Sequence, residues 1–301
     1  QSSYIRNQPR NDNIQNESSD HSYSLIPDLK AGDVIDVKGN KHGSVANISQ
    51  ISAAATLYAE LVDDSRSVFA GLTSGPADGD TSLLRDVENG EDPAPIAWDS
   101  IRKDSGYTHS DGGESISLSS GNYLVFVNLP LNGPRQRASV AGRVLIDGEP
   151  IELGAFQQGY IRDANGHVNS SIHYAGVLEL SGNSRLSIET EQRAVVPNDR
   201  GPIIIADGTQ GSIYIERLGS DGVFRSTAAE VDADVIDNFN PPQKAAMLWD
   251  SANISDTGTY NHSSGNSEVT VRSAGSYLLV DQDNMQSSVN RPNPKITAEV
   301  N

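Results

Sequence analysis

Residues 98–127 read WDSIRKDSGYTHSDGGESISLSSGNYLVFV, and residues 249–280 read WDSANISDTGTYNHSSGNSEVTVRSAGSYLLV. Trp98, Asp99 and Ser100 recur as Trp249, Asp250 and Ser251 at a spacing of 151. Tyr107 and His109 recur as Tyr260 and His262 at 153, and Gly121 and Tyr123 as Gly275 and Tyr277 at 154. Both tryptophans of the chain belong to this one pairing, so the repeat decides the fold before any single element is read.

A second correspondence runs outward from the first. Tyr4, Ile5 and Arg6 match Tyr160, Ile161 and Arg162 at 156, and TLYAEL from Thr56 matches SIYIER from Ser212. The pair Val68 and Phe69 returns as Val223 and Phe224. Together these predict a complete module over 95–218, the back half of another over 1–62 and the front half of a third over 249–301. Segments 63–94 and 219–248, with Pro76, Pro93, Pro241 and Pro242 among acidic residues, read as linkers. On this reading the chain starts and ends inside modules.

Period-2 alternation in short runs bounded by Gly, Asn, Asp and Ser predicts antiparallel strands. Ser115, Ile116, Ser117 and Leu118 alternate, Tyr123 to Val127 is a branched and aromatic run, and Asp147-Gly148 is a hairpin turn between Val140 to Ile146 and Ile151 to Leu153. Further strands are expected at 156–162, 170–180, 185–190, 203–206 and 212–218. Leu84 to Glu88 and Gln243 to Leu248 are the only stretches with a helical rhythm. The fold class is all-β: antiparallel jelly-roll sandwiches in tandem.

Charge narrows the partners. Forty Asp and Glu against 22 Lys and Arg give a net charge of −18, which disfavours phosphate backbones and anionic membrane surfaces. No apolar run approaches the roughly 20 residues of a membrane span. The absence of cysteine excludes disulfides, thiolate catalysis and zinc-thiolate sites. Scarce lysine with abundant Asn, Ser and Gly fits an extracellular setting, where sequons at Asn16, Asn47, Asn169, Asn253 and Asn261 would matter.

Several of these runs resemble the jelly-roll domain shared by complement component 1q heads and tumour necrosis factor, in its bacterial tandem-repeat form. Gly121 to Val127 resembles the family's G-x-Y-x-V strand, LKAGDVIDV from Leu29 its penultimate strand, Leu180 to Ile188 a second copy of that strand, and Ser212 to Leu218 its last core strand. The resemblance implies modules that recognise ligands or assemble with themselves, in secreted or surface proteins. It implies a fold, with no chemistry attached.

Candidate chemistry is sparse. His109 and His262 sit in Y-T-H-S and Y-N-H-S, and His21 and His173 also recur; an imidazole kept in step with the repeat suits a metal or a pH-sensitive contact. No second ligand accompanies them, which favours a structural polar residue copied with the module. Asp78, Asp80, Asp232, Asp234 and Asp237 are the carboxylates from which a calcium site would be built, although no EF-hand or nonapeptide pattern surrounds them. No cofactor motif, nucleophile elbow, zinc-protease helix or phosphate loop is present, so no catalytic residue is assigned. Trp98, Trp249, Tyr107, Tyr260, His109, His262, Tyr4, Arg6, Tyr160 and Arg162 are the expected repeated core or interface positions.

The expectation is a non-enzymatic extracellular structural protein, the repeat unit of a fibre or giant surface array whose partners are copies of itself. The rival is an adhesin-like module whose loops bind surface glycans or a receptor.

Overall fold

The computed structural model describes residues 30–34, 66–110, 112–133, 138–156, 159–161, 169–195, 202–206, 209–219, 223–227, 230–231, 247–249, 251–275 and 277–280. Its first strands are β1 (Val68–Thr73), β2 (Gly75–Pro76), β3 (Ala94–Ala97), β4 (Ser100–Asp104) and β5 (Ser115–Leu118). Then come β6 (Gly121–Asn132), β7 (Ala138–Ile146), β8 (Glu149–Ala155), β9 (Gly159–Ile161) and β10 (Asn169–Leu180). The complete module ends with β11 (Ser184–Val195), β12 (Ile204–Ile205) and β13 (Gly211–Leu218). Beyond it lie β14 (Phe224–Thr227), β15 (Glu230–Val231), β16 (Met247–Leu248), β17 (Ser251–Ser255), β18 (Tyr260–Asn261) and β19 (Thr270–Val271).

Two antiparallel sheets face each other. One runs β10-β6-β13-β1-β4 with β12 also on β6; the other runs β2-β3-β11-β7-β8 with β5 on β11 and β9 on β7. The chain crosses repeatedly between the sheets, as at β6 to β7, β9 to β10, β10 to β11 and β11 to β12, and the first strand, β1, lies beside β13. That is a jelly roll. The space between the sheets is filled by Phe69, Trp98, Tyr123, Val125, Val127, Leu129, Ile172, Tyr174, Ile188 and Ile215, all buried.

Local chemistry explains the best-read elements. Asp147 at φ 55 and Gly148 at φ 87 make the left-handed pair that a two-residue hairpin of this twist requires. Asp147 also accepts a hydrogen bond from the backbone N–H of Arg185 at 2.8 Å, tying the β7–β8 turn to β11. The twelve-residue ladder of β6 and β10 runs unbroken from Gly121↔Leu180 to Asn132↔Asn169.

Three expectations change. Segment 63–94 is more than a linker: β1 pairs with β13 from Val68↔Glu216 to Thr73↔Gly211 and with β4 on its other side. Phe69, Leu83 and Leu84 from that segment are in the core, and β3 pairs with β11 at Glu189↔Pro95. Segment 219–248 likewise contributes a strand, because β14 pairs with β17. Of the two helical rhythms, the first yields only a 3-10 turn at Val87–Asn89 and the second ends in β16, paired with β15. No helix among the described residues is long and apolar enough to cross a membrane.

Candidate functional site

The repeated residues assemble into a staple at the edge of the sandwich. Trp98 donates its backbone N–H to Gly113 O at 3.0 Å, and Gly112, at φ 73, returns its N–H to Trp98 O at 3.0 Å. His109 fits under this loop with Nδ1 3.0 Å from Ser115 O and Nε2 3.2 Å from Trp98 O. Both ring nitrogens therefore face carbonyl oxygens. A neutral imidazole carries one N–H and satisfies one of them; the imidazolium satisfies both. Phe69 from β1 stacks edge-on against His109, with ring centroids 5.3 Å apart, and against Tyr107 at 6.0 Å. Tyr107 meets Tyr123 at 6.4 Å. Trp98 lies wholly buried beneath, and its indole Nε1 finds no acceptor, so the ring serves as an apolar plug.

The Trp249 segment repeats this construction. Trp249 N–H reaches Asn266 O at 3.0 Å, and Gly265, at φ 78, reaches Trp249 O at 2.9 Å. His262 has Nδ1 3.0 Å from Glu268 O and Nε2 3.0 Å from Trp249 O. Phe224 lies edge-on to His262 with centroids 5.5 Å apart and packs against Tyr260 at 5.5 Å; Tyr260 meets Tyr277 at 6.0 Å. Tyr123 donates its hydroxyl to Ser119 O, and Tyr277 donates its own to Ser273 O. The irregularity in the β1–β4 register at Ala70/Gly71 recurs in β14–β17 at Arg225/Ser226.

Cover is where the two copies part. In the complete module Leu118, Tyr123, Leu124 and Val125 are 3%, 1%, 6% and 0% exposed, whereas their counterparts Val271, Tyr277, Leu278 and Leu279 are 51%, 42%, 58% and 70% exposed. The tyrosines register the same contrast. Burial pushes the Tyr107 hydroxyl up to about 12, against the pull of its hydrogen bond to Ser67 O. Tyr260 is also raised, mainly by its lesser burial and next by Tyr277 beside it.

The other expected residues divide. Asp78 and Asp80 share Arg85, whose guanidinium lies 2.9 Å from the first and 3.5 Å from the second. Asp80 also accepts the N–H of Ser82, the main reason its carboxyl is held below its ordinary value. Both acids are thus spent on turn geometry and one cation. Among the described residues no group of three or more His, Asp or Glu side chains is placed to hold a metal. Asp232, Asp234, Asp237, Tyr4, Arg6, Arg162 and His21 lie outside the described residues. Tyr160 takes its place in β9 opposite Ser139, and His173 lies in β10 opposite Asn128. An open depression of about 470 Å³ is lined by Thr108, Ser117, Ser119, Asp147 and Arg185.

Phe69 and Phe224 are the site residues that strand rhythm alone passed over. Their recurrence beside Val68 and Val223 was the available signal. No protein-family model and no curated protein matches the chain. Among solved structures it is similar to murine APRIL at pH 5.0, with 13% identity and a TM-score of 0.33 over 50% of this chain and 98% of that one. It is also similar to the globular domain of zebrafish complement 1qA protein, with 10% identity and a TM-score of 0.34 over 51% and 96% of the two chains. The jelly-roll assignment stands on the strand order and register described above.

Proposed function

We propose that the chain is a non-enzymatic extracellular structural protein: a repeat unit of a jelly-roll array, fibre or surface filament, whose partners are other copies of the same module. The observation that supports this is the second copy of the staple, built on Trp249 and His262. Its imidazole and aromatic contacts match those of the first copy, yet Tyr277, Leu278 and Leu279 stand open where Tyr123, Leu124 and Val125 are covered. Covering a side chain of this size contributes roughly 1.5–3 kcal/mol, so the row is a strong driving force for completion by the other half of a jelly roll. Modules that each bury their own core form a quasi-one-dimensional chain, and the acidic surface keeps such an array soluble between its contacts.

The native protein tests this directly. The expected result is an intact mass many times 32.1 kDa, or polymers in electron micrographs whose length grows with concentration. A particle of 32.1 kDa at every concentration, retained by a glycan array, overturns it in favour of a recognition module.

A further inference from the structure

Each staple holds its histidine between two acceptors. His109 Nδ1 lies 3.0 Å from Ser115 O and Nε2 3.2 Å from Trp98 O, while His262 Nδ1 lies 3.0 Å from Glu268 O and Nε2 3.0 Å from Trp249 O. A backbone carbonyl oxygen only accepts, and a neutral imidazole has one N–H and one lone pair. Whichever tautomer the neutral ring adopts, one nitrogen turns its lone pair toward an oxygen. The Trp carbonyl in each copy already receives a glycine N–H, from Gly112 at 3.0 Å and from Gly265 at 2.9 Å, so neither loop needs the ring to satisfy it. A site made for the neutral ring would set one donor against one acceptor. Two acceptors, built twice and from different residues, Ser115 in one copy and Glu268 in the other, match the imidazolium, whose hydrogen bonds are charge-assisted.

We infer that the staple histidines are acid-operated clamps: the protonated ring donates to both carbonyls and ties the Trp98 and Trp249 loops to the chain that follows them, and loss of the proton releases one of the two ties. The inference stands on the staple and is independent of the array reading.

The surroundings leave that choice to the carbonyls. β1, which supplies Phe69, and β5, which supplies Ser115, contain no ionisable side chain. Over 98–118 the ionisable side chains besides His109 are Asp99, Arg102, Lys103, Asp104, Tyr107, Asp111 and Glu114. Asp99 and Asp104 accept the N–H groups of Ser74 and Tyr107. Tyr107, raised by burial to about 12, stays neutral wherever an imidazole titrates. Over 249–272 the corresponding groups are Asp250, Asp256, Tyr260, Glu268 and Arg272, with Arg225 of β14 donating to Val177 O. Among the described residues neither imidazole makes an ion pair; its polar partners are the two carbonyls, and Phe69 or Phe224 lies edge-on to the ring at 5.3 or 5.5 Å. Because the folded state holds the ring proton through one more hydrogen bond, the stability due to the ring is complete on the acid side of the imidazole range and falls as pH rises through it.

Urea unfolding of the full-length protein and of its His109→Gln variant, at about pH 5.5 and about pH 8, tests the clamp. Dividing the two unfolding constants at each pH cancels every titration the proteins share, carboxylates included. The ratio is expected to favour the unsubstituted protein at least about threefold more at the acid pH. A ring that merely fills space gives the same ratio at both. Ring nitrogen-15 spectra of the unsubstituted protein supply a second reading: both nitrogens of His109 and of His262 should stay protonated at a pH where the histidines of the urea-unfolded chain have lost a proton. An unchanged ratio, or rings that lose their second proton together with those of the unfolded chain, overturns the clamp. Should His109→Gln fail to fold, the nitrogen-15 titration decides alone.

Discussion

The Trp98 and Trp249 segments contain the same staple but differ in how far the adjoining strand is covered. Trp98 and Trp249, His109 and His262, Phe69 and Phe224 make matching contacts, yet Trp98 is fully buried and Trp249 only half so. The staple is therefore a local construction. Turn glycines, backbone carbonyls and an imidazole within about twenty residues, with one aromatic from the preceding strand, are enough to build it. Core burial is non-local, and it needs strands from the far end of a module. The difference teaches that the staple is held by contacts within its own loop, whereas the cover of the adjoining strand is decided elsewhere in the chain.

The comparison breaks most sharply at the paired phenylalanines. Phe69→Ala removes a fully buried ring and is expected to cost the complete module about 3–5 kcal/mol. The same change at half-buried Phe224 should leave its thermal midpoint nearly unchanged. Scanning calorimetry of the two variants checks this. Next in size is Leu279→Asp, which places a charge in the open row. It should leave the complete module's unfolding intact while removing about 3 kcal/mol from completion of the Trp249 segment, read as lost protection of 270–280 in hydrogen exchange.

Smaller effects sharpen the same contrast. His109→Ala leaves Ser115 O and Trp98 O without their ring partner and should cost about 1–2 kcal/mol in denaturant unfolding, whereas His262→Ala should cost less because water reaches its site. The smallest is a titration. Tyr107 is raised to about 12 by burial, so the folded state holds this proton more tightly than the unfolded chain does. Its contribution is complete below the ordinary value of 10.0 and is lost as pH climbs from there through about 12. Phenolate absorbance should show Tyr260 ionising before Tyr107, and the gap should narrow when the Trp249 segment is covered.

Legibility in the sequence followed the distance over which each feature is decided. The Asp147-Gly148 hairpin, the alternating Ser115 to Leu118 strand and the Tyr123 to Val127 run depend on a few neighbouring residues, and all were read correctly. The repeat exposed the Trp-His edge as a unit but not how it works. That His109 bridges two carbonyls depends on a loop closing back over Trp98. Segment 63–94 was misread for the same reason: Pro76, Gly75 and its acids look like a linker, and nothing local to Val68–Thr73 shows that its partner is β13.

What the sequence determined by itself was therefore the class of fold and the recurrence of the Trp, Tyr and His positions along the chain, because turn chemistry, strand alternation and internal copying are all written within short windows. Tertiary structure alone decided where the module begins, which apolar residues are covered and which stand open. Those outcomes depend on pairings such as Val68 with Glu216, whose free energy comes from burial between segments that are remote in the chain.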